Sequence, residues 1–196
     1  MTLNEIRKRY LKAKNKNRDF TIFSSNCIGG VITSELGVRF NSPFVNLWLN
    51  AKDYLKFLKN PQKYLKCEMQ FCKEKGINYP IGKLDDIKIY FFHYKTEQEA
   101  KCCWEKRKKR INFNNLYVIF TDRDNCEYSD LLEFDNLPYQ NKIVFTHKTY
   151  NEIKSSVYIK GFESENQVGN LVALEGKIIK KHIYERFNYI NWLNKD

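Results

Sequence analysis

The sequence predicts an α/β fold: a three-layer sandwich around a mostly parallel or mixed sheet, in a single domain spanning residues 1–196. Three observations lead there. Short β-rich apolar runs alternate with amphipathic helical patterns along the chain. A length of 196 residues suits one hydrophobic core. A composition of 42% hydrophobic and 15% aromatic residues, with four Pro and eight Gly, is far from that of linkers or disordered chains.

Each element follows from a local pattern. Leu3, Ile6, Tyr10 and Ala13 recur on one helical stripe, which predicts a helix over residues 2–16 packed by that face. Asp19 to Ser24 reads as a short strand that runs into the turn Ser25-Asn26-Cys27-Ile28-Gly29-Gly30. A helix from Val31 to Leu36 follows, closed by Gly37. Asn41-Ser42-Pro43 breaks the chain, Phe44 to Leu49 resumes an extended apolar run, and Ala51, Tyr54, Leu55 and Leu58 repeat at helical spacing until Pro61.

Cys72 to Leu84 carries dense turn chemistry and reads as a surface loop. Ile87 to Tyr94 is a strand, and Thr96 with Glu99 forms a capping box opening a helix with Ala100, Trp104, Arg107 and Ile111 on one stripe. Leu116 to Phe120 is a further strand, followed by the polar turn Thr121-Asp122-Arg123-Asp124. A helix around Tyr128 to Glu133 and a strand Ile143 to Phe145 come next. Ile183, Phe187 and Ile190 share a face, predicting a closing helix over residues 182–194.

The net charge of +11 suggests a polyanionic partner. Yet 26 Lys against 8 Arg, with 21 Asn, is the bias of an A+T-rich genome, and bidentate base recognition favours Arg. Nucleic acid is therefore not the expected partner. Binding to nucleic acid or to an anionic membrane face through Lys8 to Lys16 and Lys106 to Arg110 is the third-ranked reading. No apolar run reaches eighteen residues and Met1 to Lys16 lacks a signal-like apolar centre, so a cytoplasmic protein is expected, with peripheral attachment at the inner membrane face as an option. Six cysteines, two of them adjacent at Cys102 and Cys103, make a poor disulfide framework, and Cys67 with Cys72 lacks a second ligand pair for zinc.

Ligands of open α/β sheets bind beyond the carboxyl ends of the strands, where two of the predicted turns lie. Asp122 and Asp124 form a D-x-D pair, able to hold Mg²⁺ or Mn²⁺ bridging a diphosphate; the plainer alternative is a turn that caps a helix near Asn125. Ser25, Asn26, Gly29 and Gly30 sit where a strand becomes a helix, so backbone N–H groups can cradle a phosphate, although neither dinucleotide nor P-loop spacing is present. Cys27 is either a nucleophile served by His93 or His147, or a small buried hydrophobe. His93 ends a strand and is a general base, a substrate donor or a structural histidine. The run Lys106 to Arg110 reads as a solvated face, with Arg107 or Arg110 reaching a phosphate or carboxylate as the functional alternative. Trp48, Tyr94 and Trp104 are candidate stacking surfaces. If the strand ends share one edge, Asn26, His93 and Asp122 converge on one concavity, while Arg107 and Arg110 point away.

Several segments resemble a bacterial family of unknown molecular function whose members are labelled exopolysaccharide or lipopolysaccharide biosynthesis proteins. The resembling pieces run from Ile22 to Gly30, Asn41 to Phe44 and Phe92 to Ala100, then Trp104 with Arg107 to Asn112. They continue through Phe120 to Asp124, Leu137 to Tyr139 with Lys142 to Thr146, and Phe187 to Asn194. Ile28 stands where the family pattern has Trp, and Asn188 where it has Asp. The resemblance implies a single α/β domain and a role in making surface polysaccharide; it assigns no reaction. Asn41 and Ser42, within a resembling segment, join the substrate-binding candidates.

The leading expectation is accordingly a sugar-nucleotide-dependent glycosyl or related group transferase. Asp122 and Asp124 would hold the cation, His93 would take the acceptor proton, and the partners would be a sugar nucleotide and a carbohydrate acceptor. A non-catalytic carbohydrate- or partner-binding accessory protein is the alternative.

Overall fold

The computed structural model describes residues 2–195 and forms a mixed α/β domain. Its centre is a parallel sheet of β1 (Thr21–Ser24), β5 (Leu116–Thr121), β6 (Asn141–Thr146) and β7 (Ser156–Tyr158), in the order β1-β5-β6-β7. Thr21 pairs with Leu116, Tyr117 with Asn141 and Val144 with Ser156. The side chains of β5 alternate: Val118 and Phe120 enter one core, Tyr117 and Ile119 the other. Both faces are covered, as a parallel sheet requires, and the three-layer arrangement follows.

The first layer holds α3 (Ala51–Lys59), α4 (Pro61–Lys66), α5 (Glu97–Lys108) and α6 (Tyr128–Asp135). Its core gathers Phe23, Phe44, Phe57, Trp104 and Phe134. The second layer holds α1 (Leu3–Lys14), α2 (Ile28–Leu36) and α7 (Tyr189–Leu193), over a core that includes Ile32, Leu36, Trp192 and Leu193.

A separate antiparallel sheet of β2 (Gln70–Cys72), β3 (Ile81–Leu84) and β4 (Ile87–Tyr90) flanks the first layer. Here the structure corrects the surface loop expected over Cys72 to Leu84: Ile81 to Leu84 pairs antiparallel with β4 across a tight turn at Asp85 and Asp86, Asp85 having φ +53°. Ile-x-x-Leu before that turn and Ile-x-Ile after it is a hairpin signal hidden by the preceding Gly and Pro. The strand β4 therefore does not belong to the main sheet. A short hairpin of β8 (Leu174–Glu175) and β9 (Lys181–His182) completes the strands.

Two helices depart from the sequence pattern. In α1 the stripe Leu3, Ile6 and Tyr10 is exposed, and the buried side carries Leu11 together with Arg7. Arg7 is nine-tenths buried because it pairs with Glu35 at 3.2 Å and also with Glu185, and Tyr184 donates to Glu35 at 3.3 Å. Paired charge has replaced apolar packing at this contact. The helix expected over residues 182–194 is confined to Tyr189–Leu193; His182 lies in β9 and Ile183–Arg186 form a 3₁₀ turn. The Asn188 side chain accepts the Asn191 N–H at 3.1 Å and starts a new helix there instead of continuing an old one.

Candidate functional site

A cleft of about 740 Å³ opens at the carboxyl end of the parallel sheet. Its first wall follows from the way β1 becomes α2. Ser25 N–H donates to Ile119 O at 3.2 Å, and its carbonyl accepts Leu49 N–H at 3.0 Å, so the chain leaves the sheet in a fixed direction. The Asn26 amide then bridges two elements, donating to Thr121 Oγ1 at 3.1 Å and accepting Ile28 N–H at 3.2 Å. Asn26 and Cys27 both reach the cleft surface. Burial raises the Cys27 thiol pKa, which disfavours the thiolate, and its Sγ donates to Leu47 O at 3.9 Å. Among the described residues no basic side chain hydrogen-bonds to it.

The two glycines of the turn serve packing. A Cβ on Gly29 would lie 2.8 Å from Ile22 Cγ2 and 3.0 Å from Ser24 Cβ; one on Gly30 would lie 3.3 Å from Val45 Cγ1. Both residues are buried; at Gly29 α2 approaches β1 more closely than a side chain allows, and at Gly30 it packs tightly on Val45. Ser25 is buried as well, its Oγ without a hydrogen-bond partner.

The second wall is aromatic. Trp48 pairs with Tyr90 through two backbone hydrogen bonds of 2.9 Å, and the rings stack at 4.0 Å with an interplanar angle of 8°. Trp48 Nε1 donates to Tyr79 Oη at 3.4 Å, and Tyr79 meets Phe92 edge-on at 5.2 Å. Trp48, Tyr79, Phe92 and the exposed imidazole of His93 line this side. Although β4 lies outside the main sheet, its end still delivers His93 to the same cleft.

The floor and third wall come from the D-x-D turn. Asp122 is buried behind the cleft and does not line it. Its Oδ2 accepts the backbone N–H of His147 at 2.7 Å and the His147 ring Nδ1–H at 2.6 Å, and its Oδ1 accepts Val168 N–H at 2.7 Å. Arg123 Nη1 donates to Gly169 O at 2.7 Å. The pair thus fastens the segment from Val168 onward, of which Gly169 to Val172 form the wall. Asp124 lines the cleft with φ +59°, next to Asn125 at φ +64°. Burial pushes the Asp124 carboxyl pKa up, partly opposed by the Arg123 guanidinium. A cleft-lining acid held in left-handed backbone and partly desolvated is the feature expected of a working group.

This geometry does not fit a cation bridged by Asp122 and Asp124. Both Asp122 oxygens are occupied by protein N–H donors, which leaves Asp124 as a lone carboxylate. Among the described residues, no group of three His, Cys, Asp or Glu side chains is placed to hold a metal ion.

Four other candidates lie elsewhere. Asn41 Nδ2 donates to Asp19 Oδ1 at 2.9 Å and Ser42 Oγ accepts Phe44 N–H at 3.1 Å, both near the start of β1, at the opposite edge of the sheet. Arg107 lies over the Phe40 ring at 5.4 Å and donates to Tyr94 Oη. Arg110 has a pKa lowered by burial and by the neighbouring Arg39 and Arg107, and neither Arg107 nor Arg110 lines the cleft. Of the stacking candidates only Trp48 is at the site; Tyr94 and Trp104 are core residues. Sequence reasoning missed Asn46, Tyr79 and Asn170 as lining groups. The Asn46-Leu47-Trp48 segment carried one signal, a polar residue inside an apolar run, which the structure resolves as a left-handed turn with φ +62°.

Among the described residues no helix is long and apolar enough to cross a membrane. Compared with known proteins, residues 2–194 match the family described as "Domain of unknown function (DUF1919)". An "Uncharacterized protein" of Haemophilus influenzae is 44% identical over 186 residues, covering 95% of this chain and 89% of that protein.

Proposed function

The chain belongs to the DUF1919 family, and from that premise we propose that it acts in surface-polysaccharide assembly by binding a glycosyl unit in the cleft and transferring it to an acceptor. The observation that carries this reading is the mixed lining of one cleft, aromatic and hydrogen-bonding side by side. Trp48, Tyr79 and Phe92 bring aromatic rings to its lining, and Asn26, Asp124 and Asn170 bring amide and carboxylate groups to the same cleft. Sugars present both surfaces at once, C–H faces for stacking and hydroxyls for hydrogen bonds.

In the transfer, the imidazole of His93 takes the proton of the attacking acceptor hydroxyl. The acceptor oxygen bonds to the anomeric carbon, and the bond to the leaving group breaks with its electron pair departing on oxygen. Arg123 supplies the only cleft-lining guanidinium among the described residues to offset that charge.

One observation favours the accessory reading: His93 is exposed, and its contact is an edge-on approach of the Phe92 ring at 4.7 Å rather than a hydrogen bond that fixes a tautomer. Fluorescence titration separates ligand binding from its absence, because Trp104 and Trp192 are buried and only Trp48 lies at the cleft. Nucleoside-diphosphate sugars and oligosaccharides should shift Trp48 emission, and the His93→Gln variant should bind without turnover. Binding with no turnover by the unaltered protein would leave the accessory role; a flat titration against the whole series would remove both.

A further inference from the structure

The geometry points to a second functional surface, independent of what the cleft binds: the β8–β9 hairpin and the amino-terminal end of α1 form a docking face for an anionic phospholipid bilayer. Two elements distant in sequence place aliphatic side chains in water at the same end of the molecule. Ile178, at the hairpin tip, is 76% exposed, and Leu174 and Ile179 are exposed beside it. Turn tips normally carry Gly, Asn, Asp or Ser. Gly176, at φ +95°, does serve this turn, since a Cβ there would strike Ile179 O at 2.4 Å, but the projecting residues are Lys177, Ile178, Ile179 and Lys180.

The second element is α1, where Leu3, Ile6 and Tyr10 are 49%, 44% and 60% exposed on a single stripe. The two are fastened together, since Lys180 N–H donates to Asn4 Oδ1 at 2.9 Å. Solvated apolar side chains that gather at one place, rather than scattering singly, mark a contact surface.

Charge selects the occupant. Arg9, Lys12, Lys14, Lys177, Lys180 and Lys181 are all exposed, and among the described residues none has a carboxylate within 4 Å. The nearby acids are engaged: Glu5 accepts the Thr2 N–H in a capping box, Glu175 pairs with Arg186, and Glu35 and Glu185 pair with Arg7. Isolated Lys is depleted from the centre of protein–protein interfaces, whereas Lys interleaved with aliphatic residues on a projecting turn and a basic helix suits lipid headgroups above acyl chains. The hairpin grows directly out of the cleft wall, Val172 lining the cleft two residues before Leu174, so one continuous segment joins the two surfaces.

The test is co-sedimentation of the full chain with vesicles of phosphatidylcholine mixed with phosphatidylglycerol, and with phosphatidylcholine alone. Binding is expected on the mixed vesicles only. The Ile178→Ser/Ile179→Ser and Leu3→Ser/Ile6→Ser variants should each lose about tenfold in vesicle affinity with only a small drop in melting temperature, because the replaced side chains are 40–76% exposed. Three results overturn the proposal. The first is no sedimentation with mixed vesicles. The second is binding that salt abolishes and the serine variants leave intact, which is adsorption of a basic protein. The third is a concentration-dependent dimer that the same variants dissociate, which makes a second copy the occupant.

Discussion

The Asp122 carboxylate holds His147 twice, accepting its backbone N–H at 2.7 Å and its ring Nδ1–H at 2.6 Å, while the other carboxylate oxygen reaches across to Val168. A carboxylate only accepts, so the ring proton sits on Nδ1. One buried side chain thereby ties the ends of β5 and β6 to the segment that walls the cleft. Asp122→Ala should cost about 2–4 kcal/mol, since it leaves buried donors unpaired. Urea denaturation reads the loss, and faster amide exchange at Val168 locates it. An unchanged midpoint would mean that the contact contributes nothing.

Asp124 gives a pH signature of definite sign. Its carboxyl pKa is raised in the folded protein, chiefly by burial, so the fold binds this proton more tightly than the unfolded chain does. The associated cost is absent below the ordinary Asp range, grows as pH rises toward the elevated folded value, and is fully present above it. Asp124→Asn removes the cost and keeps a residue suited to φ +59°. The variant should melt higher than the parent at neutral pH, with the difference vanishing in acid, and should bind cleft ligands more weakly. A melting gap that widens toward low pH would contradict this sign.

Cys27 should be slow to alkylate. Burial raises its pKa, whereas Cys102 is solvent-exposed on α5. With limiting iodoacetamide near neutral pH, mass spectrometry should find Cys102 modified well before Cys27. Cys27→Ala should keep cleft binding, and abolished turnover in that variant would restore the nucleophile reading.

Gly29→Ala should destabilise by about 1–3 kcal/mol through overpacking, since its Cβ would meet Ile22 and Ser24 of β1 at 3.0 Å or less. Gly76→Ala is the control, with open space around the site and only the cost of φ +85°. The ratio of the two effects, read from denaturation curves, separates close packing from backbone conformation. Gly29 has an ordinary helical φ, so its loss is packing alone, and no loss at Gly29 would mean that α2 and β1 accommodate the methyl group.

How much of this was legible in the sequence depended on whether the signal was local. The helix ended by Gly37 at φ 62° and the Thr96 cap on Glu99 N–H at 3.1 Å are decided within a few residues, and the sequence states them. Even here the match is incomplete, because Glu99 reaches back to Lys95 N–H rather than to that of Thr96. The orientation of α1 was not legible. Its apolar stripe is real, but Glu35 and Glu185 draw the opposite side inward through Arg7, and no pattern within α1 reports partners that far along the chain. The glycine turn misled in a related way: glycines beside a strand end suggest a phosphate cradle, and here they admit a helix against a strand.

Asn26, His93 and Asp124 line the cleft because each closely follows a strand, a position readable in the sequence, while Asp122, in the same turn, is buried and does not line it. Gly169 to Val172 were invisible because nothing local marks a wall whose position is set by two residues of the β5 turn.

The register of β1 bears on how the chain is made. This edge strand, buried along its whole length, pairs in the sheet only with β5, and its first residue, Thr21, lies opposite Leu116. At translation rates of about 5–20 residues per second, β1 leaves the ribosome roughly 5–20 seconds before its sheet partner exists. During that interval Ile22 and Phe23 have no sheet to join, so the nascent chain presents a sticky segment to whatever chaperone waits at the exit tunnel. The delay before β1 is paired is thus set by the 91 residues between Ser24 and Leu116, and slower translation of that stretch should lengthen it without changing an atom of the finished protein.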